Sequence, residues 1–552
     1  MSARRSHAGT HLLVASAAAF VAAAGAIGPA PARAGEPPPP PVPGLTWLPC
    51  GEEFPPSAEC AVAEVPLDHD RPHGAKTSVA LARVAASDPA DKIGTVFVNP
   101  GGPGGSGVDL IRFGFGDFLA ERLQGRFDVV GFDPRGIARS EKLQCFETNE
   151  ERDAFFAELP VFPFERAQER PYFRRYNAFT RDCVGSHQRI RAHMSTADVA
   201  RDIDLLRQAV GDERLTYLGI SYGSFLGTTY AVLFPDKVRA LVIDGVLDPI
   251  QWTSGLQIVA DRVATREEFD EFLRLCDEAG ADLCPLSGPE GASARFDALA
   301  DAVRSAPLEF PDGTIYSYDF LVADATGAMY APEVWGGPDG AGAFFGLLAD
   351  FALGDGLAGS RALGAREAIA AFLHGDARAD DYDNFLEGFF GNHCADVEYP
   401  RTLRAFQAVA DFAAAGSIFG PYWWWNTAVS CAEWPTAPDR FTGPWETRTS
   451  APVLVVGNFF DGVTSYDAAV STSRLLENSR LLSYAGWGHA ALGRSACATD
   501  YMVSYLFDGS LPPEGTVCPA NPNPFLPSEL SLAPLVRPAP LVGLPLLRPP
   551  GR

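Results

Sequence analysis

The chain has little positive charge, and it has no long apolar run beyond its N-terminal region. Among its 552 residues, 44 are Lys or Arg and 69 are Asp or Glu, which gives a formal net charge of −25. This balance argues against nucleic acids and anionic membranes as partners. After residue 40, no apolar stretch is long enough for a membrane helix. We therefore expect no nucleic-acid partner and no membrane insertion of the chain after its N-terminal signal.

The chain also lacks the spacings that mark common metal sites. It contains neither a CxxC pair nor an HExxH motif, and we expect no metal and no cofactor. Its cysteines predict disulfides instead, because their number is even and they all follow the N-terminal region. We expect successive cysteines to pair, since each such pair closes a modest loop. The ten cysteines are Cys50, Cys60, Cys145, Cys183, Cys276, Cys284, Cys394, Cys431, Cys497 and Cys518.

The N-terminal residues have the composition of an export signal. Two arginines precede an alanine-rich apolar stretch that starts at Leu12, and the sequence ARA at residues 32–34 is a small-residue cleavage site. A membrane anchor is the alternative, but the apolar stretch is short. Residues 1–34 are therefore predicted to be a signal peptide, and the protein is predicted to be secreted into the extracellular space.

Short apolar runs alternate with helical patterns in two parts of the chain. Nearly continuous, β-branched runs are typical of parallel strands that are buried on both faces. Thr196–Val210 has helical spacing and is followed by Gly211. The alternation predicts an α/β fold with a mostly parallel, doubly wound sheet. The predicted strands are Gly94–Asn99, Phe127–Asp133, Leu215–Ile220, Ala240–Val246, Ala451–Asn458 and Arg480–Gly486.

The alternation stops between about residues 250 and 450, where helical patterns rich in Ala, Phe and acids dominate. We interpret this as one α/β domain interrupted by a large helical cap insertion. The predicted segments are a Pro-rich linker (35–45), the first part of the core (46–250), the mostly helical cap (251–450), the second part of the core (451–519) and a Pro-rich, disordered tail (520–552).

The stretch "LGISYGSFLG" contains the pattern G-x-S-x-G. The pattern alone is weak, because Gly and Ser are abundant. Its context is stronger, since a strand-like run ends at Ile220 and a helix-compatible run begins after Ser221. This is the strand–turn–helix setting of a nucleophile elbow, in which Gly219 and Gly223 must lack side chains so that the backbones can approach. The sequence therefore predicts Ser221 as a nucleophile at the carboxyl edge of the sheet.

A serine nucleophile needs a base and an acid that orients the base. In this fold the chain order is Ser, acid, His. His489 is the only histidine after residue 393, and it lies just beyond a predicted strand. Asp461 follows the preceding predicted strand, and Asp467 is its competitor in the helix beyond. We predict His489 as the base and Asp461 as the acid.

An oxyanion hole needs two backbone N–H donors. The residue after the nucleophile, Tyr222, supplies the first. The glycine-rich loop "VFVNPGGPGGSG" follows an early strand, and we choose Gly102 as the second donor, with Gly101 next. The alternative is a phosphate-binding loop, but the Lys-Ser/Thr pair of a P-loop is missing.

Asp133 and Arg135 end another predicted strand, in "GFDPRGIARS". We interpret them as a structural, ion-paired turn rather than as catalytic groups.

Six stretches occur in the order of a known family: NPGGPGGSG, GFDPRGIARS, GISYGSFLG, VIDGVLDP, GNFFDGVT and GWGHAALG. From about Cys50 to Cys518 the chain resembles the α/β-hydrolase serine peptidases related to prolyl aminopeptidase, above all the secreted tripeptidyl aminopeptidases with a TAP-like C-terminal segment. The resemblance implies an α/β-hydrolase fold with Ser221, Asp461 and His489 as its triad. Two positions depart from the pattern. Ala490 stands where relatives often have Gly, and the glycine loop begins with Asn-Pro-Gly-Gly instead of the His-Gly-Gly of the prolyl branch.

The resemblance also implies that acidic cap residues bind the α-ammonium group of the substrate. The candidates are Asp396 and Glu433, which flank cap cysteines, and then Glu267 and Glu268. The stretch "PYWWWN" could line an apolar substrate pocket, although three consecutive tryptophans cannot all face one side.

We therefore expect a secreted serine hydrolase, an aminopeptidase that acts on peptides with free N-termini. A carboxylesterase that uses the same triad is the first alternative, because the triad does not separate amides from esters. A non-catalytic binding protein on a hydrolase scaffold is the second, and the intact Ser, Asp and His set argues against it. The sequence leaves the oligomeric state open.

Overall fold

A mostly parallel sheet organises the structure, a computed structural model that describes residues 39–185, 189–310, 312–354, 356–374, 382–435, 437 and 439–527. The predicted signal peptide, most of the predicted linker and residues 528–552 of the predicted tail lie outside these residues. The described strands are Leu48–Pro49 (β1), Ala58–Pro66 (β2), Lys76–Val84 (β3), Gly94–Asn99 (β4), Phe127–Phe132 (β5), Leu215–Ile220 (β6), Val238–Asp244 (β7), Leu308–Glu309 (β8), Ile315–Tyr316 (β9), Val453–Phe460 (β10), Ser479–Trp487 (β11) and Val517–Cys518 (β12).

Ten of the described strands form one sheet in the order β1-β2-β3-β5-β4-β6-β7-β10-β11-β12. Antiparallel pairing joins β1, β2, β3 and β5, and all the neighbours from β5 to β12 pair in parallel. β8 and β9 form a separate antiparallel pair. Every residue of β4 and β5 is buried, as expected for strands covered on both faces. The predicted α/β fold with a mostly parallel sheet is confirmed.

Helices cover both faces of the sheet and fill the long connections. The described α-helices are Gly107–Arg112 (α1), Phe115–Arg122 (α2), Asn149–Phe156 (α3), Arg166–Gly185 (α4), Thr196–Ala209 (α5), Tyr222–Leu233 (α6), Pro249–Ser254 (α7), Gln257–Ala279 (α8), Ala292–Ser305 (α9), Tyr318–Ala328 (α10), Ala341–Ala352 (α11), Gly356–His374 (α12), Phe385–Asp396 (α13), Leu403–Ala414 (α14), Phe419–Ala428 (α15), Tyr466–Leu475 (α16) and Ala496–Asp508 (α17). The predicted helix Thr196–Val210 matches α5, but its N-cap is Ser195, whose side chain accepts a hydrogen bond from the Asp198 N–H.

A helical layer, which we define as α3, α4 and α8 to α15, contains most of the described α-helical residues. The predicted cap, 251–450, contains only the second part of this layer. α4 precedes β6 and packs against α14 and α15. Tyr172 of α4 stacks edge-on against Trp425, with ring centroids 5.9 Å apart, and Phe173 meets Phe406 at 5.6 Å. The helical layer is therefore built from two separate insertions into the sheet.

Disulfides join successive cysteines throughout the described residues. The pairs are Cys50–Cys60, Cys145–Cys183, Cys276–Cys284, Cys394–Cys431 and Cys497–Cys518. The predicted pairing of neighbours is confirmed. Within the described part of the chain, we find no helix with the length and hydropathy of a membrane span and no cluster of three or more side chains suited to a metal ion.

The start of the predicted disordered tail is docked on the helical layer. Phe525 is buried, and its ring lies 5.3 Å from that of Phe272 on α8 and 6.4 Å from that of Trp335. Asn523 Nδ2 donates to the Leu275 carbonyl at 3.1 Å. For residues 520–527 the structure thus differs from the predicted disorder, because one aromatic side chain finds an aromatic cavity despite the proline-rich composition around it.

Candidate active site

The turn between β6 and α6 holds Ser221 in a strained conformation. Its φ is +59° and its ψ is −127°, a backbone conformation that residues other than glycine rarely adopt. A Cβ on Gly219 would lie 2.2 Å from the Gly223 carbonyl oxygen, and one on Gly223 would lie 2.7 Å from the Asn99 carbonyl oxygen. Neither position tolerates a side chain, so the local sequence dictates this sharp turn.

Asp244, at the end of β7, ties the serine turn to the loop that carries His489. Its carbonyl accepts the Ser221 N–H at 2.9 Å. Its carboxylate accepts the Ala491 N–H at 3.0 Å and the Leu492 N–H at 2.8 Å. Burial raises the pKa of Asp244 to about 6, although these two N–H groups oppose the shift. Sequence reasoning assigned no role to Asp244, although it lies in the predicted strand Ala240–Val246 and in the family stretch VIDGVLDP.

The glycine-rich loop after β4 presses against the serine turn. A Cβ on Gly101 would lie 2.7 Å from Ser221 Cβ and 2.9 Å from the Tyr222 nitrogen. The Gly101 N–H donates to Asn99 Oδ1 at 3.0 Å, so this donor is already engaged. Tyr222 begins α6, where backbone N–H groups have no partner within the helix. Gly102 and Tyr222 therefore remain our candidates for the two oxyanion donors.

Asp461 and His489 meet at the carboxyl ends of β10 and β11. His489 Nδ1 lies 3.1 Å from both carboxylate oxygens of Asp461. This contact assigns the proton to Nδ1 and leaves Nε2 as an acceptor. Nε2 is buried and has no hydrogen-bond partner among the described residues. An imidazole held in this way can take a proton at Nε2.

The acid is held ionised by its surroundings. Burial alone would raise the pKa of Asp461, but His489 and the N–H groups of Thr464 and Val463 outweigh it and lower the pKa below its usual value. Those N–H groups donate to Oδ1 at 2.8 and 3.0 Å. The competitor Asp467 is exposed in the first turn of α16.

Thr464 contacts both members of the acid–base pair. Its Oγ1 donates to Asp461 Oδ2 at 2.8 Å and lies 3.2 Å from His489 Nδ1. The same oxygen and the His489 ring face Gly245, where a Cβ would lie 3.3 Å from Oγ1 and 3.1 Å from His489 Cε1. Since Gly245 follows Asp244, the serine turn and the acid–base pair converge at this point. Sequence reasoning assigned no role to Thr464, although it ends the family stretch GNFFDGVT three residues after Asp461.

Two acids that the sequence singles out for amine binding have other partners. Asp396 is buried and accepts hydrogen bonds from the Thr196 N–H at 3.0 Å and from Thr196 Oγ1 at 2.6 Å. Burial raises the pKa of Asp396 to about 7. Glu433 forms a partly exposed ion pair with Arg181 at 2.8 Å. The structure brings neither carboxylate into contact with Ser221 or His489.

The turn around Asp133 and Arg135 has other partners than the sequence suggested. Arg135 is fully buried and pairs with Asp202 of α5 at 2.6 Å. Asp133 instead accepts a hydrogen bond from Ser106 Oγ at 2.5 Å. Asp133 and Arg135 do not pair with each other, because Arg135 reaches Asp202 while Asp133 lies beside Ser106 and 4.0 Å from Arg139.

Ala490, the residue after His489, has a φ of +67°. This left-handed conformation costs a residue with a Cβ roughly 1–2 kcal/mol, and the larger unfolded-state entropy of glycine returns only part of that. Ala490→Gly should therefore raise the free energy of unfolding by roughly 0.5–1 kcal/mol. The measurement is the thermal unfolding midpoint, with Ala491→Gly as the control. Ala491 has no positive φ, so that change should lower the midpoint, and a lower midpoint for both variants would contradict the interpretation.

Comparison with known proteins adds two family models. A model described as alpha/beta hydrolase fold matches residues 94–270, and a model described as TAP-like protein matches residues 416–518. The first covers the serine turn, and the second covers Asp461 and His489.

Relatives match the chain over most of its length. Carboxylesterase B of Mycobacterium tuberculosis is 30% identical over 496 residues, which are 86% of this chain and 90% of that protein. Serine protease Hip1 of the same organism is 29% identical over 508 residues, 86% of this chain and 91% of that protein. Tripeptidyl aminopeptidase of Streptomyces lividans is 27% identical over 491 residues, 87% of this chain and 88% of that protein.

Proposed function

Since the chain belongs to the α/β-hydrolase family and carries a TAP-like C-terminal segment, we propose that it is a secreted aminopeptidase that releases short peptides, tripeptides among them, from free N-termini. The protein is a serine hydrolase, in keeping with relatives named serine protease, tripeptidyl aminopeptidase and carboxylesterase. Five disulfides within the described residues support secretion, because such bonds persist in oxidising compartments.

In the proposed mechanism, Ser221 Oγ attacks the scissile carbonyl carbon while His489 Nε2 takes the hydroxyl proton. Asp461 holds the imidazole and stabilises the imidazolium that forms. The N–H groups of Tyr222 and Gly102 bind the oxyanion of the tetrahedral intermediate. His489 then gives the proton to the leaving amine, and an acyl-enzyme remains. Water, activated by the same imidazole, attacks the acyl-enzyme and releases the product acid.

One observation favours free N-termini as the substrate feature: α8 carries a buried pair of acceptors without a cation. Gln257 and Asp261 are 3% and 5% exposed. Gln257 Nε2 donates to Asp261 Oδ1 at 2.5 Å, and Gln257 Oε1 has no partner among the described residues. Burial raises the pKa of Asp261 well above its usual range; Gln257 opposes the shift, and Asp461 adds to it. We find no ion pair between Asp261 and a Lys, Arg or His among the described residues.

This acceptor pair lies near the proposed catalytic groups. Thr265 Oγ1 lies 2.8 Å from the Asp261 carbonyl oxygen and 2.5 Å from the carbonyl oxygen of Gly462, the residue after Asp461. A primary ammonium group offers three N–H donors and one positive charge, which is what a buried carboxylate and a free amide oxygen lack. We propose that Asp261 and Gln257 bind the α-ammonium group of the peptide, in place of Asp396 and Glu433.

The carboxylesterase alternative keeps some support, because carboxylesterase B is as similar to the chain as the peptidases are. The two activities differ in what the substrate must carry. A simple ester carries no cation that could pair with the Asp261 carboxylate, whereas the α-ammonium group of a peptide could neutralise it. The choice therefore depends on Asp261 rather than on the nucleophile.

The test compares a tripeptide p-nitroanilide with its N-acetylated form, using the wild type and Asp261→Asn. A desolvated charge pair of this kind is worth roughly 2–5 kcal/mol. We expect kcat/KM to be about 100-fold higher for the free amine, and we expect Asp261→Asn to remove most of that preference while leaving the acetylated substrate unaffected. Above about pH 8, kcat/KM should fall for the free amine alone, since α-amino groups have a pKa of about 7.7–8.0.

Asp270→Asn is the matched control, because Asp270 is exposed on the same helix and pairs with Arg266. This variant should behave as the wild type does. Equal cleavage of the free and acetylated peptides by the wild type would exclude the aminopeptidase. Hydrolysis of a short p-nitrophenyl ester without any peptide cleavage would favour the esterase.

A further inference from the structure

We infer that Glu268 of α8 is a positioning residue that sets the geometry of the acid and the base together. Its side chain is fully buried. Oε2 accepts the Gly462 N–H at 2.7 Å, and Oε1 accepts the Gly488 N–H at 2.7 Å. Gly462 directly follows Asp461, and Gly488 directly precedes His489. A single carboxylate from the helical layer therefore bridges the two loops on which the proposed acid and base stand.

α8 forms hydrogen bonds with both the N–H and the carbonyl of Gly462, the residue that follows Asp461. Thr265 lies one turn before Glu268, and its Oγ1 donates to the Gly462 carbonyl at 2.5 Å. Trp423 Nε1 donates in turn to Thr265 Oγ1 at 2.8 Å. A Cβ on Gly462 would lie 2.5 Å from Glu268 Oε2 and 3.1 Å from Thr265 Cα, so a side chain there would displace Glu268 or α8. Both hydrogen-bonding groups of Gly462 are thus fixed by α8.

The loop that carries His489 is held by other residues as well as by Glu268. The Gly488 N–H is shared between Glu268 and the Phe460 carbonyl, which lies at 2.9 Å. On the far side of the loop, Arg494 donates to the His489 and Ala490 carbonyls at 2.6 Å. Removing Glu268 would therefore loosen the two loops relative to each other without releasing either one entirely. A small displacement of this kind is costly for catalysis, because the proton transfer needs the reacting atoms in line.

The contacts of Glu268 are those of a carboxylate. Both oxygens accept backbone N–H groups at 2.7 Å, a length typical of charge-assisted bonds. The charged groups that face it are Asp461, whose charge is shared with His489, and Arg494, which is paired with Glu333 at 2.8 Å. Burial and then Asp461 raise the pKa of Glu268 well above its usual range, although the two N–H groups and Arg494 oppose the shift. A negative charge here also stabilises the imidazolium that forms on His489.

The test uses Glu268→Gln, in which an amide NH₂ must face one of the two N–H donors. We expect kcat to fall about 30- to 100-fold with KM within about threefold of the wild type. The acid limb of the pH profile of kcat/KM should move to lower pH, because losing the negative charge lowers the pKa of the base. Glu268→Asp keeps the charge and should retain the wild-type acid limb with an intermediate kcat. Glu278→Gln, an exposed glutamate of α8 that pairs with Arg274, is the control and should change neither quantity.

A merely structural role would lower the unfolding midpoint and leave the kcat and pH profile of the folded enzyme intact. That result, or failure of both Glu268 variants to fold, would overturn the inference. The inference rests on the proposed triad but not on the substrate class, so it is measured on whichever of the peptide and ester substrates the wild type cleaves. If the wild type cleaves only esters, the aminopeptidase proposal is refuted. The Glu268 variants, measured on the ester, would then still test the role of Glu268.

Discussion

Ser221→Ala is expected to lower kcat by about 10⁵- to 10⁶-fold on both peptide and ester substrates, because no other group can form the acyl-enzyme. The remaining rate should come from binding and the oxyanion donors alone. The backbone strain at Ser221 is unchanged by alanine, so the unfolding midpoint should stay close to that of the wild type. The measurement is single-turnover and steady-state hydrolysis after purification by a route that excludes wild-type carry-over.

Ser254→Ala serves as the control for this variant. Ser254 is exposed on α7, and its hydroxyl donates only to the Gln251 carbonyl, so its loss should not affect hydrolysis. Hydrolysis by Ser221→Ala within tenfold of the wild type would move the nucleophile elsewhere and remove the basis of the proposed mechanism.

Asp461→Asn should cost about 10⁴-fold in kcat with little effect on KM. The Asp461 carboxylate accepts from His489 Nδ1 and from the N–H groups of Val463, Thr464 and Ala490, and its neutral amide would have to turn an NH₂ group toward some of these donors. The imidazole would then favour the tautomer with its proton on Nε2, where it cannot act as a base. The pH dependence of kcat on the ester substrate is the measurement.

The matched variant is Asp467→Asn, which alters the competing acid of the same loop region. Asp467 is exposed on α16 and contacts neither His489 nor Ser221, so kcat should not change. The opposite ranking, with Asp467→Asn inactive and Asp461→Asn active, would refute the assignment of the acid.

Local sequence patterns were enough to predict most of the parallel strands and the candidate catalytic residues that follow them. β4 and β6 are continuous apolar runs with clear ends, and their bounds agree with the predicted strands residue for residue. Ser221, Asp461 and His489 each follow a strand, so chain order was enough to select them as candidates. β2 was missed, because its buried residues alternate with more exposed ones and do not form a continuous apolar run.

The residues that hold the candidate groups in place could not be predicted in the same way. Glu268 lies 193 residues before Asp461 in the chain, and in sequence it is one acid among several in an acidic helix. Its contact with the acid loop arises only when the helical layer is folded onto the sheet. The same applies to Asp261. In contrast, Asp396 and Glu433 were chosen for their nearness to cysteines, and nearness in sequence says nothing of the direction in which a side chain points.

The pairing of each cysteine with its next neighbour bears on how the chain can mature. A polypeptide that crosses a membrane in an extended form delivers its cysteines one after another, and an oxidant that joins each new thiol to the one before it would produce the five bonds of the described structure directly. The largest separation between partners is 38 residues, so in an exported chain each loop can close soon after its second cysteine emerges. If the chain is exported as proposed, oxidation of successive thiols would produce the native bonds without reshuffling of mispaired sulfurs.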